Sequence, residues 1–475
     1  MKANLSSLQT KIIPLIFGLA LFAVAFSAVK GISHGNTTNV KLLAGIVVVG
    51  GFTLALDKNY WMLFPAFSII GVKIPGLPFD GAELGCLFVV GLYVLRLALQ
   101  KETTTKPCMS LLLCFPFLLW IFIVWCLNPT GLAMFGSATI GARFYIRIVL
   151  SFFACCVMCT KAINERDAKR LFLIIVSSLI IKALIQIIFS SFLVADEQEI
   201  LDEDSSTNYQ YLFALNFFIL MFCKYNLSSI FRSVWKFFVV AFFALLTIYT
   251  GKRKAIATLF ILPLLRVFFT GKDKLLTTMC VCVAVFILIF TVAADGTFYE
   301  LPASVKRSLS VVVPKYRQSD ITQDVFRYEI RMIGNELIKE SPWFGRKGFA
   351  IDFRETAWIL SSKGDLYEGH AYAGNWHSTW YAFACDFGLP CMILFIFPFV
   401  YSLVYSYKLV KKCEYGSWSF FCVLYYSFSL YIFAIFSYTS GHSTGSTNAL
   451  LFNMAMLVAL DNGLKQDKRI TKSIV

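Results

Sequence analysis

Residues 275–300 read LLTTMCVCVAVFILIFTVAADGTFYE, and the order of polarity along them decides the fold. No side chain is charged from Leu275 to Ala293, a stretch long enough for a helix to cross the hydrocarbon of a bilayer. From residue 294 the chain turns polar, and it remains so to residue 380. Working outward, apolar runs of the same kind recur at 11–29, 41–56, 59–72, 82–98, 108–126, 143–160, 171–194, 208–223, 234–250, 254–270, 387–407, 417–438 and 446–460. Three of them (59–72, 254–270 and 446–460) are short. The sequence therefore predicts an all-α polytopic membrane protein of about 12–14 transmembrane helices, interrupted by one large loop that carries amphipathic helix. Composition agrees: 58% of the 475 residues are apolar, 15% are charged, and the mean hydropathy is +0.70. The first run is expected to stay as a span rather than be cleaved, because further spans follow it. Three regions are expected: a helix bundle at 1–293, the loop at 294–380, and C-terminal helices with a basic tail at 381–475.

Lysine and arginine in the short loops orient the spans. With the N-terminus inside, alternation sends Arg96, Lys101 and Lys106 to the cytoplasmic side. Lys161, Arg166, Lys169 and Arg170 follow them, as do Lys224, Arg232, Lys236, Arg266, Lys272 and Lys274. Lys408, Lys411, Lys412 and the tail from Lys465 also fall inside. The acidic stretch 196–204, the large loop and the small polar loop Thr439–Ser443 fall outside. One turn breaks the rule: Lys252-Arg253-Lys254 also falls outside. Either one span is miscounted, or these cations hold an anion at the outer surface, and cations inserted in membrane proteins commonly mark substrate paths.

Most of the net charge of +15 lies in cytoplasmic loops, where topology and anionic lipid headgroups account for it, so no nucleic-acid partner is expected. The fourteen cysteines lie mostly in or beside apolar runs and read as small buried hydrophobes. No P-loop, GxGxxG after a strand, HExxH or paired CxxC occurs, so no cofactor and no metal are expected.

In the large loop, Ile330, Ile333, Leu337 and Ile338 have helical spacing, broken at Ser341-Pro342. An amphipathic helix lying on the membrane surface is expected over 327–339, with the following glycines turning the chain back toward the membrane. Three blocks stand out in order. The first is Thr250-Gly251-Lys252-Arg253 at the end of a span. The second is Arg327, then Pro342, Gly345 and Gly348. The third is His377-Ser378, with Asp386 nine residues after the histidine, then Gly388.

In these blocks the chain resembles the bacterial O-antigen ligase and O-antigen polymerase superfamily. It departs from the pattern at Lys347, which stretches the glycine spacing, and at Cys391, where the family often has a second glycine. The resemblance spans about the C-terminal half. It implies a GT-C-like, metal-independent, inverting glycosyltransferase of the bacterial inner membrane with its active site toward the periplasm. The implied donor is an undecaprenyl-diphosphate-linked glycan, and the acceptor a glycan or lipid A–core. Membrane lipids and a chain-length regulator are further partners. In this frame Arg253 and Arg327 hold the diphosphate, since a guanidinium fork binds phosphate oxygens without losing its charge. Lys252, Lys254, Arg331, Arg143 and Arg147 support them. His377 accepts the acceptor's proton, its reference pKa of about 6.5 suiting a base at neutral pH. Trp376, Trp380 and Asp386 contact sugar.

Each residue also has a plainer role open to it. His377, beside Trp376, suits a membrane boundary, and His370 and His442 compete with it without the acidic and glycine spacing. Arg143 and Arg147 can snorkel to headgroups. The tryptophans can form an interfacial belt. Lys182, near mid-bilayer with Gln186 one turn on, calls for a role or a partner. The alternative function is a transporter or flippase of lipid-linked glycans. Such a fold carries internal repeats with broken helices at matching positions, and none is evident here.

Overall fold

A computed structural model describes residues 57–71, 81–98, 109–127, 143–193, 205–249, 253–301, 306, 313, 315–316, 321–348, 376–438 and 443–474. The runs expected at 11–29 and 41–56 lie outside these. Helix is the only extended regular structure among the described residues. That is the outcome expected for apolar runs in lipid, where each backbone group must be satisfied within its own segment. The chain is an all-α polytopic membrane protein.

The chain divides into two units, Met1–Lys106 and Pro107–Val475. In the first, a 3-10 turn (Asp57–Met62) leads into α1 (Leu63–Ile70), which ends at Gly71 with a left-handed φ of 53°. Helix α2 (Gly81–Ala98) packs on α1 at Gly85, where a Cβ would lie 2.6 Å from that of Phe67. Arg96 lies over the Tyr60 ring.

The second unit runs α3 (Met109–Leu112), α4 (Phe115–Leu127), α5 (Arg143–Cys159), α6 (Glu165–Leu193) and α7 (Ser205–Lys224). It continues with α8 (Leu227–Phe231), α9 (Val234–Tyr249), α10 (Arg253–Thr270) and α11 (Lys274–Ala294). Then come α12 (Ile321–Glu340), α13 (Thr379–Phe387), α14 (Leu389–Lys412), α15 (Trp418–Phe436) and α16 (Ser443–Ile474). Four stretches are long and apolar enough to cross a membrane: Ser110–Leu127, Lys274–Ala294, Leu389–Lys412 and Trp418–Phe436. Helices α15 and α16 form the interior, with Tyr426, Phe428, Met454 and Leu457 fully buried. Helix α11 instead exposes Leu275, Phe286 and Phe290, a surface that only lipid solvates well.

Two boundaries differ from the sequence expectation. The span expected at 387–407 is α14, but a separate short helix, α13, precedes it where the loop was expected to end, and Gly388 (φ 88°, ψ 167°) breaks the chain between them. The run at 446–460 is the middle of a 32-residue helix that continues into the basic tail.

The unit has two distinct ends. At one, the Glu165 carboxylate accepts the backbone N–H groups of Trp418 (2.5 Å) and Ser419 (3.0 Å) and the Ser419 hydroxyl (2.8 Å). It thereby caps the N-terminus of α15, where orphan donors and the helix dipole favour an anion. Arg266 does the converse for α7, donating to the carbonyls of Phe222 and Cys223 in its last turn. Lys169 and Lys224 lie over Trp418 and Lys272 over Tyr415, while Asn462 Nδ2 donates to the carbonyls of Cys159 and Lys161. Basic loops of this unit that the charge rule assigns to one side thus converge at one end.

Candidate active site

At the opposite end, α12 and α13 pack face to face. Ile330 is fully buried against Trp376, Ala382 and Cys385, with Ile333, Leu337 and Ile338 around it. Gly334 permits the approach, since a Cβ there would stand 3.1 Å from Tyr381 and 3.2 Å from Cys385 Sγ. Tyr381 Oη donates to Asn335 Oδ1 at 2.9 Å. The amphipathic helix expected over 327–339 lies within α12. Its apolar stripe is covered by α13, the nearest apolar partner that the Pro342 turn brings alongside.

That turn closes the end of α13. Helix C-termini leave carbonyls without intrahelical donors. Here Arg346 N donates to Cys385 O (2.8 Å), Gly348 N to Asp386 O (2.7 Å) and Trp120 Nε1 to Phe387 O (2.9 Å). Leu389 N answers to Pro342 O at 2.8 Å. The two backbones lie so close that a Cβ on Gly345 would fall 2.3 Å from Cys385 O, and one on Gly388 2.0 Å from Trp343 O. Both glycines also have left-handed φ values (58° and 88°). The glycine pattern read from the sequence is thus the clearance this crossing demands. Cys391, in place of a further glycine, is fully buried within α14.

Asp386 sits at the centre, 2% exposed. Its Oδ1 takes Arg346 Nη2 at 2.6 Å and the Trp376 indole N–H at 3.1 Å, and its Oδ2 takes the Ser443 hydroxyl at 2.7 Å. The Arg346 guanidinium also lies over the Trp376 ring, 5.7 Å from its centroid. Asp386 and Trp376, expected from the sequence to contact sugar, both have their polar groups engaged within this buried cluster.

His377 follows Trp376 with a φ of 50° and is half-buried, while Trp376, Ser378 and Thr379 around it are buried. Thr379 N donates to Ser437 O at 2.8 Å, and its hydroxyl shares a hydrogen bond with Ser446 at 2.9 Å. Trp380 Nε1 donates to Ser437 Oγ at 3.1 Å, and its ring packs edge-on against Phe395 and Phe399.

The C-terminal end of α15 is where the sequence blocks meet. Lys254 Nζ lies 5.3 Å from the centre of the Phe436 ring, and Arg331 lies 4.6 Å from that of Tyr438. Trp380 reaches Ser437 between them. Arg253 is the first residue of α10 and Arg327 lies in α12 one turn before Arg331, but their side chains, with Lys252 altogether, lie outside the described residues. Arg143 begins α5 and Arg147, half-buried, follows a turn later. Tyr145 between them stacks on Trp125, meets Phe387 edge-on, and leaves no room for a Cβ at Gly348 (2.2 Å from Tyr145 Oη). His370 and His442 lie outside the described residues, and Lys182 is half-buried in α6. Among the described residues no group of three His, Cys, Asp or Glu side chains could hold a metal.

The large loop starts at a second hub. Asp295 accepts Leu301 N–H (2.7 Å) and Tyr316 Oη (2.9 Å), with Lys306 and Lys315 each 3.5 Å away. The Leu301 N–H leads in holding its carboxyl down to about 2, helped by Tyr316 and the lysines. Burial and the same hydrogen bond push Tyr316 up to about 12.

Arg346 and Ser443 escaped the sequence reading. The available signal was Asp386 itself, since a carboxylate at the edge of an apolar run needs a cation, and Arg346 sits in the turn the glycines mark.

The fold and this end together define a multi-spanning membrane protein with a polar, cation-rich cluster at one end of its helices. Residues 232–396 match the family model described as O-antigen ligase. The match supports the O-antigen ligase and polymerase superfamily, and with it a function of glycan ligase or polymerase type. It includes Arg253, Arg327, Arg346, His377 and Asp386. No curated protein matches the chain.

Proposed function

We propose that the protein transfers an undecaprenyl-diphosphate-linked glycan to a glycan or lipid A–core acceptor, as a surface-polysaccharide polymerase or ligase. The reaction takes place at the periplasmic face of the bacterial inner membrane. The observation that supports this is the convergence at residues 436–438 of side chains beside the three blocks: Lys254 directly after the first, Arg331 from the helix of the second, and Trp380 within the third. It supports a role for the turn Lys252-Arg253-Lys254, which breaks the charge rule, since Lys254 and Arg331 both reach the end of α15.

In the reaction, an imidazole nitrogen of His377 takes the proton of the acceptor hydroxyl as its oxygen attacks the anomeric carbon. The bond from that carbon to the diphosphate oxygen breaks, and its electron pair leaves with the lipid diphosphate. Attack opposite the leaving group inverts the anomeric centre. Arg253 and Arg327 hold the diphosphate and stabilise the charge that grows on it, the role a metal plays elsewhere. Lys252, Lys254, Arg331, Arg143 and Arg147 add to the field. A chain-length regulator is a further expected partner of a polymerase.

The test is Arg253→Ala, Arg327→Ala and His377→Ala in a strain deleted for the native gene, with protein level checked in the membrane fraction. Loss of surface polysaccharide with normal protein level is expected. Single repeat units capped onto lipid A–core identify a polymerase, and absent capping a ligase. Normal polysaccharide from all three variants sinks the proposal.

A further inference from the structure

We propose that Asp386, held by its ion pair with Arg346, is the positioning residue for His377; this rests on the catalytic role given to His377 above. The chain from carboxylate to imidazole is short. Asp386 Oδ1 receives the indole N–H of Trp376, the residue before His377, and the guanidinium that pairs with the same oxygen covers the Trp376 ring. On the other flank, Thr379 is fixed through its backbone to Ser437 and through its hydroxyl to Ser446. His377 lies between these anchors with a φ of 50°. A left-handed backbone is unfavourable for a residue with a Cβ and persists where the surroundings impose it. Trp376, Ser378 and Thr379 are buried and His377 is half-buried, so the clamp fixes the backbone on both sides of the histidine.

The carboxylate is also the point where three distant segments are tied. Arg346 comes from the Pro342 turn, Ser443 from the start of α16, and Asp386 from the last turn of α13. Asparagine in its place keeps the shape but removes the charge that pairs with Arg346 and sets an NH2 group against one of the three donors, so the anchor shared by Arg346 and Trp376 is weakened. A catalytic base displaced by about 1 Å loses on the order of 100-fold in rate while substrate still binds.

The test is a double-mutant cycle on purified protein in liposomes, supplied with undecaprenyl-diphosphate-linked glycan extracted from host membranes and with acceptor. Asp386→Asn is expected to lower kcat by about 10–100-fold with KM for donor and acceptor little changed. In a His377→Ala background the same substitution is expected to have no further effect, because its action runs through the imidazole. An equal fractional loss in both backgrounds, or a normal kcat for Asp386→Asn, overturns the inference. If Asp386→Asn does not accumulate, Trp376→Phe decides, since it keeps an aromatic face beneath Arg346 and removes the indole N–H. A several-fold fall in kcat that vanishes beside His377→Ala supports the inference, and an unchanged kcat defeats it. Full activity in His377→Ala alone defeats the catalytic role first, and this inference with it.

Discussion

The two ends of the second unit handle charge in opposite ways. At the basic end, charged side chains finish regular helices: Glu165 caps α15 and Arg266 closes α7. At the other end, Arg346 and Asp386 pair with each other, and helix carbonyls are closed by a turn whose backbone is left-handed at Gly345, Lys347 and Gly348. Caps stabilise helices and tolerate replacement. A crossing of irregular backbones holds side chains in one arrangement, which is what a site of chemistry needs. The comparison sets an end whose caps hold regular helices against an end whose irregular backbone suits the chemistry proposed above.

The glycines offer the sharpest way to break that contrast. Gly416, near the basic end, has a φ of 90° but open space around it, whereas a Cβ on Gly388 would lie 2.0 Å from Trp343 O. Gly388→Ala should cost roughly 3 kcal/mol or more, through strain together with the displaced turn, and Gly416→Ala about 1 kcal/mol from strain alone. Thermal unfolding in detergent compares them, and equal losses would remove the distinction between the two ends. Next in size, Glu165→Ala should lower stability by about 1–2 kcal/mol through the uncapped α15, with specific activity retained by the folded fraction. A selective loss of kcat there would carry function to the wrong end. A smaller effect, about 1 kcal/mol, is expected from Trp120→Phe, which leaves Phe387 O without its indole donor while keeping the stack on Phe344.

The mildest effect concerns the start of the large loop. The Asp295 carboxyl is held below its ordinary value, so its contribution is complete above about pH 4 and fades as pH falls toward about 2. Hydrogen exchange at Leu301 N–H should accelerate, relative to its intrinsic rate, over that interval and in Asp295→Asn already at neutral pH. Unaltered protection in both would show that the Leu301 N–H does not depend on this carboxylate.

Much of the helical plan was legible because it is local. The run from Leu275 to Ala293 and the stripe Ile330, Ile333, Leu337 and Ile338 each announce a helix from composition and spacing alone. Lys254, which ends the turn that breaks the charge rule, is found beside Phe436 at the end of α15. What escaped is non-local. Glu165 and Trp418 are 253 residues apart, and nothing in either neighbourhood names the other. Arg346 and Asp386 pair only because the Pro342 turn crosses α13, and the crossing depends on clearances at Gly345 and Gly388 that spacing cannot measure. The stripe of α12 was legible as apolar, but whether lipid or α13 covers it is decided by packing.

The most direct test of the central claim compares His377→Ala with Glu165→Ala in the same reconstituted transfer assay, using lipid-diphosphate-linked glycan and acceptor, each rate normalised to folded protein. The account predicts that His377→Ala loses about 100-fold or more in kcat with unfolding temperature unchanged, and that Glu165→Ala melts lower but turns over normally. A His377→Ala variant that turns over normally, or a Glu165→Ala variant that is stable but inactive, would contradict it.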